Sequence, residues 1–180
     1  MATQQHGVVA LSQLLDAGVS ASAARSRVAS GKLHRVHSGV YAVGHPLLTR
    51  EGRWMAAVLA CGPRAALSHR SAASLWALRT NARNAIDVTV SARSGRAREG
   101  IDVHRSATLD VSDITKVDAI PCTTVARTLL DLAEVVNSRA LERAIDQAEV
   151  RRVLDMRTLD DVLARAAGAV APRRSEPSSR

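Results

Sequence analysis

Three features of the 180-residue sequence predict an α/β fold of the α+β kind. Residues 11–43 have the pattern of two short helices and a hairpin. Residues 86–90 and 101–104 alternate apolar and polar side chains, as half-buried strands do, and the chain is helical in pattern from residue 124 onward. Their order predicts an N-terminal helix-turn-helix with a hairpin, followed by a mixed α/β part that ends in helices.

The second helix of the N-terminal pattern has clear end signals. Ser20 is its natural N-cap, because a serine hydroxyl accepts a hydrogen bond from the free amides of the first turn. Val19, Ala24 and Val28 fall on one face at helical spacing, which predicts that this face is buried. Gly31 ends the helix where a left-handed residue costs least.

A β-hairpin is predicted directly after this helix. Residues 33–36 and 40–43 are strand-like, and Ser38-Gly39 forms a two-residue turn between them. A helix-turn-helix followed by such a hairpin is the pattern of a winged helix-turn-helix, whose second helix enters a DNA major groove. The alternative is a small helical unit that binds only protein. The candidate DNA-binding residues are Ser22, Arg25 and Ser26 on the helix, and Lys32, Arg35 and His37 on the hairpin.

The distribution of charge supports a polyanionic partner. Residues 1–109 hold 14 Arg or Lys against 5 Asp or Glu, whereas residues 110–180 hold 11 against 12. The basic character therefore belongs to the first part, as expected for a surface that faces nucleic acid. With no Phe, one Tyr and two Trp, the chain lacks the aromatic platforms on which single-stranded bases stack. Double-stranded DNA is the expected partner.

Three arginines form a possible second basic patch. Arg93, Arg96 and Arg98 lie in the connection between the two alternating strands. They are either phosphate contacts or the solvated tip of a hairpin.

The remaining elements follow from capping residues and breakers. Thr49 caps a helix over 50–61 that Gly62-Pro63 ends, and Ser68 caps a helix over 69–78. Strands are predicted at 65–67 and 114–117, and helices at 125–136, at 139–153 and, capped by Thr158, at 159–167.

His45-Pro46 marks a boundary, because the residue before proline is forced into an extended conformation. The predicted organisation is a DNA-binding domain at 1–45, an α/β domain at 46–168 and a disordered tail at 169–180. Two cysteines do not make a disulfide framework, and no apolar run is long enough to span a membrane. A reduced, cytoplasmic protein is therefore expected.

No catalytic, metal or cofactor site is expected. His34 and His37 are three apart in a strand, so they are expected to point to opposite faces. Ser68-His69 is not expected to pair as nucleophile and base, and helix capping explains Ser68 better. The acids of the C-terminal helices, including Asp131 and Glu134, are expected to form ion pairs on a solvated surface.

Four blocks in order resemble a known family: KLHRVHSGVYAVG, then LTREGRWMAAVLACGPRAALSHRSAASLWAL, then IDVTV with GIDVHRS, then AIPCTTVARTLLDLAE. They are similar to the AbiEi-like antitoxins and transcriptional regulators of actinobacteria, over about residues 6–165. The resemblance implies a winged-helix DNA-binding domain joined to an antitoxin domain. It also implies repression of the protein's own operon and action against a nucleotidyltransferase-like toxin.

Two departures from the family pattern bear on function. Longer relatives continue into a Vsr-like endonuclease domain, which is not expected here because the chain ends at Arg180. Relatives carry basic residues at the start of the recognition helix, where this chain has Ala21 and Ser22. A homodimer is expected, since one small module with few contacts binds DNA weakly. The alternatives are a protein-interaction module and a target-recognition remnant of a nuclease architecture.

Overall fold

The structure, a computed structural model, describes residues 2–91 and 98–170. Within these ranges it is a mixture of helices with one three-stranded and one five-stranded sheet, which confirms the predicted α/β fold class. Met1, the 92–97 segment and residues 171–180 lie outside the described residues.

The N-terminal unit contains the predicted helices and hairpin, and it adds a strand that was not predicted. After a single 3-10 turn at Ala2–Gln5, the elements are β1 Val8–Ala10, α1 Leu11–Asp16, α2 Ala21–Ala29, β2 Leu33–His37 and β3 Val40–Val43. Strand β1 pairs antiparallel with β3, which gives the sheet order β1-β3-β2. This element order is consistent with the predicted winged helix-turn-helix.

The remainder of the chain builds the five-stranded sheet and the helices around it. Its elements are α3 Arg50–Cys61, β4 Ala66–Leu67, α4 His69–Leu75, β5 Ile86–Ser91, β6 Ile101–Ser106, β7 Ile114–Val117, β8 Ile120–Thr123, α5 Val125–Ala133, α6 Ser138–Val150 and α7 Met156–Val170. A short 3-10 turn at Val111–Asp113 precedes β7. The sheet order is β6-β5-β4-β8-β7.

Strands β5 and β6 run parallel, with Ile86 opposite Ile101 and Ser91 opposite Ser106. The interpretation of their connection as a hairpin tip is therefore wrong, because a hairpin joins antiparallel strands. Alternation in sequence fixes which side chains share a face, but it does not fix strand direction.

Helix α3 is central to the core. Trp54 and Val58 belong to the same buried cluster as Val8 and Val40 of the first sheet and Val88 of the second. Both sheets therefore share one core across residue 45, and the division of the chain there stays a prediction. A second cluster joins α4, α5 and α6 around Leu129 and Leu132.

Several predicted helix ends need correction. Helix α4 stops at Leu75 rather than residue 78, and α5 stops at Ala133, whose side chain is exposed. Helix α7 starts at Met156, where Asp155 rather than Thr158 accepts from a first-turn amide, that of Arg157. The cap of α3 is confirmed, because the Thr49 hydroxyl accepts from the Gly52 amide. Both cysteines are free and buried.

Gly52 allows the N-terminal segment to cross α3 closely. A Cβ at this position would lie 2.9 Å from the His6 carbonyl oxygen and 3.3 Å from Leu48 Cβ. Gly52→Ala is therefore expected to destabilise the protein by about 1–3 kcal/mol, as overpacking does, despite the better helix propensity of alanine. Urea denaturation measures this. Gly168→Ala in α7 is the matched control, since no atom of the described residues outside its own helical turn lies within 4 Å of a Cβ there, and it should be neutral or slightly stabilising. Stabilisation by Gly52→Ala would contradict the close approach.

Candidate nucleic-acid interface

The second helix of the helix-turn-helix is held at both ends by local contacts. The Ser20 hydroxyl accepts from the Ala23 amide at 3.1 Å, which confirms the predicted cap. Gly18 and Gly31 take φ values of +82° and +69° before and after the helix, a conformation that glycine adopts at low cost. The turn between α1 and α2 and the exit into β2 are both set by these residues.

Helix α2 presents its predicted DNA-binding residues to solvent. Ser22, Arg25 and Ser26 are all exposed. The predicted buried face is only partly correct: Ala24 is buried, but Val28 is 37% exposed because nothing in the described residues covers the last turn on that side. The exposed surface of α2 thus carries small and polar side chains together with two arginines, Arg25 and Arg27.

The hairpin adds further positive charge beside α2. Lys32 and Arg35 are exposed, whereas His37 is half-buried. Burial lowers the pKa of His37, and the nearby Arg98 guanidinium lowers it further. Both effects disfavour the charged imidazole, so the contribution expected of His37 is a hydrogen bond to a phosphate.

Arg98 is the member of the second basic patch that the structure describes. It shares a groove of about 520 Å³ with Arg35, His37 and Ser38, so the second patch reaches the hairpin. Arg93 and Arg96 lie outside the described residues. This proximity between β2 and the segment before β6 was not predicted, because nothing local in the sequence signals it.

His34 and His37 do not point to opposite faces of the hairpin, as their spacing predicted. A register shift between Arg35 and His37 places His34 opposite Ala42 and His37 opposite Val40, which are alternate residues of β3. Such a bulge cancels the alternation, so the two histidines are on the same face rather than opposite faces. Among the residues that the structure describes, however, no three His, Cys, Asp or Glu side chains gather as a metal site needs.

The prediction for Ser68 and His69 is wrong in two respects. The Ser68 hydroxyl makes no capping bond to α4 and instead lies 2.9 Å from Nδ1 of its neighbour His69. The contact is possible because His69 has a φ of +48°, which turns the ring back towards Ser68. Ser68 also receives a hydrogen bond from Thr89 and is completely buried, so its oxygen is not placed to attack a substrate.

The prediction that the acids of α5 lie on a solvated surface is wrong for Asp131. Asp131 is 1% exposed and Arg127 is 4% exposed. Arg127 Nε lies 2.8 Å from Asp131 Oδ1, and Arg127 Nη1 lies 3.4 Å from Oδ2 of the buried Asp113. Burial raises the pKa of Asp131 to about 6 despite the opposing effect of Arg127. A periodic Arg–Asp pair looks the same in sequence whether it faces solvent or a strand.

Two short helices joined by a tight turn and followed by a hairpin are typical of DNA-binding regulators, and basic side chains are exposed on both the second helix and the hairpin. More particularly, residues 2–44 match the family model described as "Transcriptional regulator, AbiEi antitoxin". The match confirms the resemblance over this part, which is less than half of the chain and contains the first of the four sequence blocks. No curated protein matches the chain.

Among the described helices, none combines the length and apolar character that crossing a bilayer requires.

Proposed function

We propose that the protein is a winged-helix regulator that binds a double-stranded operator and represses its own operon. The observation that carries the proposal is the exposed basic surface formed jointly by α2 and the hairpin in a unit that matches a regulator family model. Arg25 is the side chain that reads a base, because a guanidinium can donate two hydrogen bonds to a guanine edge. Lys32, Arg35 and Arg98 contact phosphates, and Ser22, Ser26 and His37 add hydrogen bonds. Neither metal nor cofactor takes part, no catalytic step is involved, and a cytoplasmic location follows from the DNA target.

The first prediction concerns the two arginines of this surface. Arg25→Ala is expected to weaken binding to the upstream DNA by about 5- to 100-fold, through loss of a bidentate base contact, and to relax sequence preference. Arg35→Ala is expected to weaken binding to all sequences alike and to reduce the slope of log K against log salt by about one unit. Fluorescence anisotropy on upstream and scrambled DNA across a salt series measures both effects.

Arg143→Ala is the matched control, since Arg143 is exposed on α6 and belongs to neither the helix nor the hairpin. It should leave affinity and slope unchanged. Equal binding to both DNA sequences would reduce the role to non-specific attachment. No binding at low salt would contradict the proposal and favour the protein-interaction module, for which the exposed Leu15 and Val28 of the helix-turn-helix supply an apolar surface.

The antitoxin activity is a further part of the proposal. The family description supports it, and the α/β part of the chain is the region that remains to carry it. We propose that the protein counters a nucleotidyltransferase-like toxin. Co-expression of the full chain with a neighbouring gene of that type should restore growth, and the Arg25→Ala variant should restore it equally if antitoxin action does not need operator binding.

A homodimer is proposed because two half-sites raise the affinity of a module with few base contacts. Sedimentation of the protein with a single half-site and with a paired site distinguishes one bound chain from two. A single chain on the paired site would contradict the dimer but not DNA binding.

A further inference from the structure

A cavity of about 200 Å³ lies between the strands β5 and β6 and the helix α5. No residue of α2 or of the hairpin lines it, so it is separate from the proposed DNA surface. Its polar lining residues include His69, Thr89, His104, Asp131 and Glu134. Two of these, His69 and Asp131, are almost completely buried and yet keep an atom without a hydrogen-bond partner among the described residues.

His69 offers a hydrogen-bond donor to the cavity. Thr89 donates to the Ser68 oxygen at 2.7 Å, so the Ser68 proton is left to be donated to His69 Nδ1. A neutral imidazole that accepts at Nδ1 carries its proton at Nε2. The pKa of His69 is lowered to about 3, mainly by burial, so the ring stays neutral. The Nε2–H group is therefore a buried donor with no acceptor in reach.

Helix α5 offers acceptors on the same side of the cavity. Glu134 Oε2 lies 3.8 Å from His69 Nε2, which is beyond hydrogen-bond distance. One oxygen of Asp131 accepts from Arg127, and its other oxygen, Oδ2, is buried without a partner. Asp131 and Glu134 are three residues apart and so lie on one face of the helix end. The cavity thus presents one donor next to two carboxylates.

We propose that this cavity binds the edge of a guanine-type base. A lactam carries a carbonyl acceptor and an N–H donor side by side. The carbonyl oxygen can accept from the His69 N–H, and the lactam N–H can donate to the Glu134 carboxylate. The exocyclic amino group of guanine supplies a second donor, for which Asp131 Oδ2 is the free acceptor. A separation of 3.8 Å between the protein donor and acceptor suits two neighbouring ligand atoms, each of which makes its own hydrogen bond.

The surroundings of the cavity fit a planar, uncharged group. His104 stacks on His69 with ring centroids 3.6 Å apart, so an aromatic plane adjoins the polar edge. His104 also lies 2.8 Å from the buried Asp87, which fixes its ring. Adenine fits only in part: its N1 can accept from His69 and its amino group can donate to Glu134, but no second donor group remains for Asp131 Oδ2.

Nucleotide titrations of the full chain test this proposal by recognition of the edge. Guanosine monophosphate, inosine monophosphate and adenosine monophosphate are added separately, while the imidazole signals of His69 are followed by NMR. Guanosine monophosphate is expected to shift them and to bind about fivefold more tightly than inosine monophosphate, which lacks one hydrogen bond from the amino group. Adenosine monophosphate is expected to bind no more tightly than inosine monophosphate, because it also lacks a second donor group for Asp131 Oδ2.

Variants at exposed positions keep the test independent of folding. Glu134→Ala is expected to weaken the binding of guanosine monophosphate by about fivefold, because the ring N–H loses its acceptor, and Glu142→Ala, a change of an exposed acid on α6, should leave binding unchanged. An equal response to the three nucleotides, or none at millimolar concentration, would overturn the proposal.

A guanine within single-stranded DNA presents the same edge as the free nucleotide. An oligothymidine with one central guanine therefore serves as a further arm, compared with plain oligothymidine. If this strand shifts the His69 signals and the mononucleotide shifts them less, the base comes from nucleic acid. Operator binding through Arg25 is measured separately, so the failure of either proposal leaves the other standing.

Discussion

Arg127→Ala is expected to lower the free energy of unfolding by about 3–5 kcal/mol, which is the usual cost of removing one partner from a buried ion pair. The side chain is 4% exposed and every nitrogen of its guanidinium is engaged. Nε donates to Asp131 at 2.8 Å and Nη2 to Ser106 at 3.0 Å, while Nη1 reaches Thr108 and Asp113. Without it, two buried carboxylates lose their main counter-charge.

The magnitude follows from desolvation more than from attraction. Asp113 keeps a second partner, because Arg165 of α7 also donates to it. Asp131 has no such substitute, and burial already raises its pKa to about 6. The Arg127→Ala variant is therefore expected to regain part of its stability when Asp131→Asn is added, since the second change removes the uncompensated charge.

Chemical denaturation of the two single variants and the double variant measures the coupling between Arg127 and Asp131. Arg143→Ala on the exposed side of α6 is the control and should change stability by no more than about 0.5 kcal/mol. A loss below about 1 kcal/mol for Arg127→Ala would place this pair with ordinary surface salt bridges and contradict its role in the core.

Elements with local signals were predictable from the sequence. Ser20 and Thr49 cap their helices as predicted, because capping depends on a side chain and an amide three residues away. The hairpin followed from Ser38-Gly39 between two apolar segments, and Gly39 has a φ of +74° in the structure. These contacts do not depend on the rest of the fold.

Pairing and burial of polar residues were not predictable in the same way. Strand β1 is three residues long, too short to show a period, and exists because β3 supplies its partner. The pairing of β5 with β6 is parallel, and alternation of side chains is the same in parallel and antiparallel strands. Asp87 and Thr89 are the polar residues of the alternating segment 86–90, yet both are buried, and the Ser71 hydroxyl of α4 accepts a hydrogen bond from the Asp87 amide on this strand.

The two candidate sites differ in the same way: one depends on local structure and the other on residues that are far apart in sequence. Exposure of Ser22, Arg25, Ser26, Lys32 and Arg35 follows from local helix and strand geometry, and the structure places all five at the surface. The cluster around His69 joins residues from β5, β6, α4 and α5, which are far apart in sequence. Its one sequence signal is that Asp87, Thr89 and His104 lie on strands where an ordinary core would have apolar residues.

Acid is expected to destabilise the protein through His69. Burial, with the nearby charges of His104, Arg127 and Arg70, lowers the pKa of His69 from 6.5 to about 3. The folded state keeps this ring neutral, whereas the unfolded chain binds a proton below about pH 6.5. Its contribution to stability is therefore complete above pH 6.5 and is lost as the pH falls towards 3, by about 1.4 kcal/mol per pH unit.

The Asp131 carboxyl acts in the opposite direction, so comparison with a variant is needed to isolate the effect of His69. The pKa of Asp131 is raised to about 6, which makes the folded state the stronger proton acceptor and adds stability as the pH falls from about 6 towards 4. His69→Asn removes the titrating ring and suits a φ of +48°, which asparagine tolerates. Because both proteins retain Asp131, its contribution largely cancels in the difference between their free energies of unfolding.

This difference, measured by urea denaturation from pH 7 to pH 3, is expected to move steadily in favour of the His69→Asn variant as the pH falls. His45→Asn, at an exposed position, should instead follow the wild type throughout. A difference that stays constant with pH would mean that the folded protein takes up the proton as readily as the unfolded chain. Nε2 of His69 would then be open to protonation and able to pair with Glu134, and the cavity would lose the neutral donor on which its preference for a guanine edge depends.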